Sequence, residues 1–193
     1  MSFLLFFIEI FPKFLKKINY LTYGNLFTYK EHYVQVKILK KYIFHTLKIL
    51  KNHQHFVYNS ITDIICIDYP FKNKRYQLNY LLLSYITNHR LCINLKLKEH
   101  DIISSITLLY QAAGWLEREC WDMMGIFFKG HKDLRRILTD YGFENFPLRK
   151  DYPMFGYVEL KYNDFFNKLT FVPTELAQEY RIFNFKSPWE NTK

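Results

Sequence analysis

The sequence predicts an α+β fold, with helices laid on a sheet, followed by an extended C-terminal arm. Three observations predict it. Leu91, Ile93, Leu95 and Leu97 alternate with Cys92, Asn94, Lys96 and Lys98, the period-two signature of a half-buried strand. Amphipathic stretches of helical period stand before and after the strand-like segments. From Tyr141 onward that period disappears, and Pro147, Pro153, Pro173 and Pro188 punctuate short aromatic runs. The chain therefore divides into an N-terminal extension (1–32), a core domain (33–155), and a hairpin with a partner-binding tail (156–193).

The extension opens with an apolar run, Met1 to Phe11, which is too short for the roughly 20 residues that a spanning helix needs. No basic stretch precedes it and no small-residue cleavage site follows, so it does not read as a signal peptide. With Lys13, Lys16 and Lys17 behind it, packing on a neighbouring protein is expected, with a membrane surface as the alternative. Tyr33 to Lys51 reads as a helix. Leu39, Ile43, Thr46, Leu47 and Leu50 share one stripe, and most of the lysines take the other side. His53 and His55 then read as a solvated helix end, having no third ligand at metal spacing.

Strands are expected from Ile61 to Tyr69, Tyr76 to Tyr85 and Leu91 to Leu97, with Thr87 to Arg90 as a hairpin turn. A second helix is expected from Gln111 to Met124, with Leu116, Cys120, Met123 and Phe127 facing the core. Gly130 and Asp133 suggest a turn into a short helix. Tyr157 to Tyr162 and Lys168 to Val172 are expected to pair across Asn163-Asp164. The tail beyond Pro173 cannot bury its rings against itself, so Tyr180, Phe183, Phe185 and Trp189 are expected to contact a partner.

Composition narrows the function. About half of the 193 residues are apolar, which supplies a sizeable core and excludes wholesale disorder. Phe, Tyr, Ile, Lys and Asn are abundant and draw on AT-rich codons, as in a compact organellar genome. The net charge of +9 suggests an anionic partner, yet 20 of the 27 basic residues are dispersed lysines, which read as a solvated surface. Cys66, Cys92 and Cys120 form no CxxC pair and fall short of the four thiolates of an ordinary iron–sulfur cluster. There is no GxGxxG and no GxxxxGK[ST]. No flavin, nucleotide or metal site is expected in this chain.

The densest polar block is Glu117-Arg118-Glu119-Cys120-Trp121-Asp122. On a helix, Arg118 and Asp122 form an i, i+4 pair, and Glu119 and Asp122 lie at i, i+3. With His131 they would suit a metal-dependent hydrolase. The structural reading, favoured here, is an ion-pair network to Arg135, Arg136 and Arg149, within the chain or across an interface. His131 and Asp133 read the same way, as parts of a turn. Arg135-Arg136 and Arg149-Lys150, with Tyr141, Phe143 and Phe146 between them, would suit an organellar RNA-binding or ribosomal protein. Interleaved Asp133, Asp140, Glu144 and Asp151 argue for salt bridges instead.

Longer runs are more specific. Glu117-Arg118-Glu119, Trp121-Asp122-Met123-Met124-Gly125-Ile126, Gly130-His131, Asp133 to Phe143 and Pro147-Leu148-Arg149-Lys150-Asp151-Tyr152-Pro153 resemble the signature of the thirty-kilodalton subunit of respiratory complex I. Asp68-Tyr69-Pro70, Gly156 to Leu160, Glu175 to Arg181 and Ser187-Pro188-Trp189-Glu190 extend the resemblance over Phe56 to Glu190. Lys132, Cys120 and Asn145-Phe146 depart from the pattern. The resemblance implies a cofactor-free subunit of the peripheral arm of NADH:ubiquinone oxidoreductase, folded as a two-layer α+β domain of helix on mixed sheet with an extended C-terminal arm. It would contact the forty-nine-kilodalton and iron–sulfur subunits, on the matrix side of the mitochondrial inner membrane. The complex, not this chain, would carry NADH, FMN, iron–sulfur clusters and ubiquinone.

Overall fold

The computed structural model describes residues 27–29, 33–185, 187 and 189; the rest of the expected N-terminal extension lies outside them. Among these residues nine strands and two α-helices follow in order. The first part comprises β1 (Phe27–Tyr29), β2 (Val34–Lys37), a 3-10 turn (Lys40–Tyr42), α1 (Ile43–Asn52), β3 (Ser60–Asp68), β4 (Tyr76–Ser84) and β5 (His89–Leu97). Then come β6 (Ile102–Ser104), α2 (Ala113–Met124), β7 (Phe127–Lys129), β8 (Val158–Asn163) and β9 (Lys168–Pro173). The fold is α+β, as expected.

Five strands form one mixed sheet in the order β1-β2-β5-β4-β3. β3, β4 and β5 are a meander, with Tyr80 facing Ile64 on one side and Ile93 on the other. β2 runs parallel to β5, Val34 beside Leu91. This corrects the first half of the expected helix: Val34 and Val36 alternate with Gln35 and Lys37, and pairing with a distant strand overrides helical propensity. Only from Ile43 does the helical stripe hold, burying Ile43, Thr46, Leu47 and Leu50 while Leu39 stays exposed. The β4–β5 turn also falls earlier than expected, at 85–88, with Asn88 at φ +52.

The buried apolar residues of both helices join Tyr76, Leu78, Tyr80, Leu82, Leu91, Ile93, Leu95 and Leu97 of the sheet in one hydrophobic core. On α2 the buried residues are Ala113, Glu117, Cys120, Asp122 and Met124; of the expected core-facing set, Cys120 is buried and Leu116 and Met123 pack against the core from its margin. Leu116 and Met123 are half-buried, and Phe127 lies beyond the helix with 47% exposed. The periodicity was readable, but a glutamate inside it hid the phase. After β7 no helix forms at Asp133. The backbone amides there are used by α2 instead, as described below.

The chain separates into two compact units between Tyr152 and Pro153. In the second, β8 and β9 form a hairpin in the register Asn163↔Lys168. Asn163 Oδ1 closes the turn by accepting the amides of Phe165 and Phe166 at 3.0 and 3.3 Å. Phe155 meets Tyr180 edge-on with centroids 5.3 Å apart.

Candidate functional site: a loop clasped to helix α2

Helix α2 carries the polar block, and its end is set by Gly125, whose φ of +77 suits a left-handed C-cap. From that helix, two carboxylates enter the interior. Asp122 is fully buried and gathers a whole loop. Its Oδ2 accepts the amides of Ile137, Leu138 and Thr139 at 3.0, 2.7 and 3.0 Å. Its Oδ1 accepts the Thr139 hydroxyl at 2.6 Å and Arg136 Nη1 at 3.0 Å. Burial alone would raise this carboxyl, but the Thr139 hydroxyl and the three amides outweigh it and hold it down at about 2. Arg136 continues outward to the Asn145 carbonyl at 2.9 Å.

Glu117 is equally buried but does not pair with an arginine, contrary to expectation. Ser105 Oγ donates to its Oε2 at 2.6 Å and the Ile106 amide donates to its Oε1 at 2.8 Å. His131 Nε2 stands 3.9 Å from Oε2 and donates to the Gly114 carbonyl at 3.1 Å. The donor is assigned to Nε2 because Nδ1 accepts the Asp133 amide. Burial raises the Glu117 carboxyl, and the bonds from Ile106 and Ser105 and the nearby His131 offset only part of that.

The other expected pairs also need correcting. Arg118 does not reach Asp122. Its Nε donates to the Arg135 carbonyl at 3.2 Å and its guanidinium lies 4.8 Å from the Trp115 ring. Glu119 is exposed and joins no ion pair among the described residues, so it does not converge with Asp122. Asp133 and Arg135 pair with each other at 3.0 Å on the surface.

A second knot lies outside the dense polar block. Asp68, at the end of β3, is buried and held bidentately by Arg75, Nε and Nη2 both at 2.8 Å. The Lys150 amide adds a bond at 2.9 Å. The Arg75 fork depresses the Asp68 carboxyl despite its burial. Arg75 also reaches Asp151 at 3.0 Å, and Glu99 joins Arg75 to Arg149 at 3.3 and 3.2 Å. Arg149 Nε caps the Met124 carbonyl at 2.8 Å. An acidic residue closing an apolar strand before Pro70, with an arginine after the turn, was the signal for this pair.

Phe146, one of the departures from the family pattern, fills the gap between the knots. Its ring lies 5.0 Å from the Arg136 guanidinium, 4.3 Å from that of Arg149 and 5.6 Å from Trp121. Gly125 makes room for it: a Cβ there would stand 2.7 Å from that ring and 2.5 Å from Arg149 Nη2. Arg136 and Arg149 are thus turned inward, while Arg135 and Lys150 stay exposed. Among the described residues no three His, Cys, Asp or Glu side chains stand together as a metal set. Chemically the arrangement is a clasp, which fixes the loop of residues 131–151 to α2 and β3. In the second unit Tyr180, Phe183, Phe185 and Trp189 are all at least half exposed.

The comparisons agree with the motif. A family described as "Respiratory-chain NADH dehydrogenase, 30 Kd subunit" matches residues 36–158. "NADH-ubiquinone oxidoreductase subunit 9" of Reclinomonas americana is 42% identical over 183 residues, 95% of this chain and 85% of the relative. The protein of the same description from Acanthamoeba castellanii is 52% identical over 133 residues, 69% of this chain and 67% of the relative. Among solved structures, a trypsin-resistant fragment (1-134) of Nqo5 aligns with a TM-score of 0.52 at 20% identity, over 66% of this chain and 98% of the fragment. A chain of an archaeal membrane-bound sulfane sulfur reductase, a respiratory complex, aligns at 0.62 and 23%, over 76% and 85%. These two likenesses speak for the fold. With the motif, the matched length and the identities together, the chain belongs to the family of the 30 Kd subunit of the respiratory-chain NADH dehydrogenase.

Proposed function

We propose that this chain works as a structural, non-catalytic subunit in the peripheral arm of NADH:ubiquinone oxidoreductase. Its task is to assemble the complex and hold the forty-nine-kilodalton and iron–sulfur subunits in register. NADH, FMN, iron–sulfur clusters and ubiquinone would then be bound by its neighbours, and its place would be the matrix side of the mitochondrial inner membrane. Among the described residues no helix is long and apolar enough to cross a membrane.

One observation carries the reading. The signature side chains that enter the interior are spent on bonds inside the chain: Asp122 accepts five, and Arg136 and Arg149 each bridge two segments. A group that fixes its own backbone so fully is built for shape rather than turnover. The exposed rings of the arm suit a partner surface.

The test is a mild-detergent native gel of the source membranes, stained for NADH dehydrogenase activity and probed for this chain. Co-migration with the large active band is expected, and Arg136→Ala should lower the amount of that band. Normal assembly with lost electron transfer would instead make the chain catalytic.

A further inference from the structure

The β8–β9 hairpin has its faces inverted with respect to water. Directly opposed residues share a face, and on one face they are Val158 with Pro173, Leu160 with Phe171, and Tyr162 with Leu169. All six are apolar and all are exposed, Leu160 by 46% and Phe171 by 65%. The opposite face carries Glu159, Lys161, Lys168 and Thr170, with Val172 as its apolar member; Glu159, Thr170 and Val172 are half-buried. A lone two-stranded hairpin is marginal in water even with its apolar side covered. One that turns that side outward is built to be covered by something else.

Charge identifies the occupant. Residues 153–193 hold five basic and five acidic side chains, so the whole +9 of the chain resides in residues 1–152. A nucleic acid or an anionic membrane would be drawn to that first part, whereas the hairpin is neutral, its Glu159 and Asp164 balanced by Lys161 and Lys168. A neutral, aliphatic and aromatic face matches the desolvated centre of a protein interface.

We infer that this face is a docking surface for an apolar strip on a neighbouring folded subunit of the same NADH dehydrogenase complex. The inference rests on the proposed function, which makes the chain a subunit, and it names where the subunit is gripped. Leu160 and Phe171 form its centre.

The experiment places a photoreactive benzoylphenylalanine at Phe171, or at Thr170 on the other face, in the full chain expressed in its source membranes. Phe171 should cross-link to a different protein subunit within the active native-gel band, and Thr170 should give none. In parallel, Leu160→Glu would bury a carboxylate in an apolar interface and should reduce the assembled band at least about tenfold. Lys161→Glu, on the polar face, should stay within about twofold. Cross-linking from Phe171 to lipid, to a second copy of this chain, or to nothing would overturn the inference. So would an undiminished band with Leu160→Glu. Either result leaves the subunit reading standing provided the unaltered chain runs with the active band; its absence from that band would overturn both.

Discussion

Replacing Asp122 with Asn keeps the shape of the side chain and removes its charge. The three amides of residues 137–139 still find an oxygen if Asn presents Oδ1 to them. The new NH2 group then faces Arg136 Nη1, donor against donor, while Thr139 can turn its hydroxyl to accept. The loss is one charge-assisted bond to Arg136 and the ionic part of the rest, about 3 kcal/mol. An independent route gives a similar size. Moving the carboxyl from 3.8 to about 2 corresponds to about 2 kcal/mol of preference for the charged form. Because the folded value lies below the unfolded one, this stability is present above about pH 4 and is lost as the pH falls through about 2. Urea unfolding of the full chain is the assay. Asp122→Asn should lose about 3 kcal/mol at neutral pH, a fall of roughly 6–12 °C in Tm for a chain of this size. Part of the acid-induced loss seen in the parent should be absent in the variant. A neutral-pH loss under about 0.5 kcal/mol would refute the claim that this carboxylate holds the loop.

Glu117→Gln should behave oppositely. The folded Glu117 carboxyl is raised by burial, so the parent loses stability as pH rises through that range, while the variant does not. Denaturation at about pH 4 and pH 8 should show the variant gaining on the parent at the higher pH, and a gain at the lower pH would contradict the assignment. Gly125→Ala should cost at least about 2 kcal/mol, because the left-handed φ and the Phe146 and Arg149 contacts both resist a Cβ. Thermal unfolding would measure it, and a neutral result would mean the loop yields freely. Burial pushes the Cys66 thiol up to about 12 and the Cys120 thiol well above its ordinary range. Thiol labelling of the native chain should therefore track unfolding, and fast labelling of either residue in folded protein would show an opening that the packing does not.

The parts of the fold visible in the sequence are those whose cause is local. β3, β4 and β5 pair with their neighbours in sequence, so their alternation and turn residues carried the signal. The hairpin of the second unit was visible for the same reason. β2 was not, because four residues of alternation abut the helical stripe of α1 and the partner strand comes much later in the chain. In the site, charge type and spacing pointed to Asp122 and Arg136 as residues of one cluster. They did not reveal that Glu117 turns to Ser105 and His131, because the phase of α2 depends on tolerating a glutamate among apolar neighbours. Asp68 and Arg75 sit outside the dense polar block, so charge density alone does not mark them as a pair.

The parallel seam between β2 and β5 also sets an order of events. β5 occupies the middle of the sheet, and one of its edges can bind β4 as soon as the two have been made. Its other edge belongs to β2, which leaves the ribosome before α1, β3 and β4. The strand synthesised early must therefore wait, unpaired on that side, until Leu91 to Asn94 follow it out. Closing that long loop is slow compared with zipping the meander. During synthesis the half-built sheet thus has an open edge, with Val34 and Val36 uncovered, and this is the interval in which a chaperone or an incoming subunit has access to it.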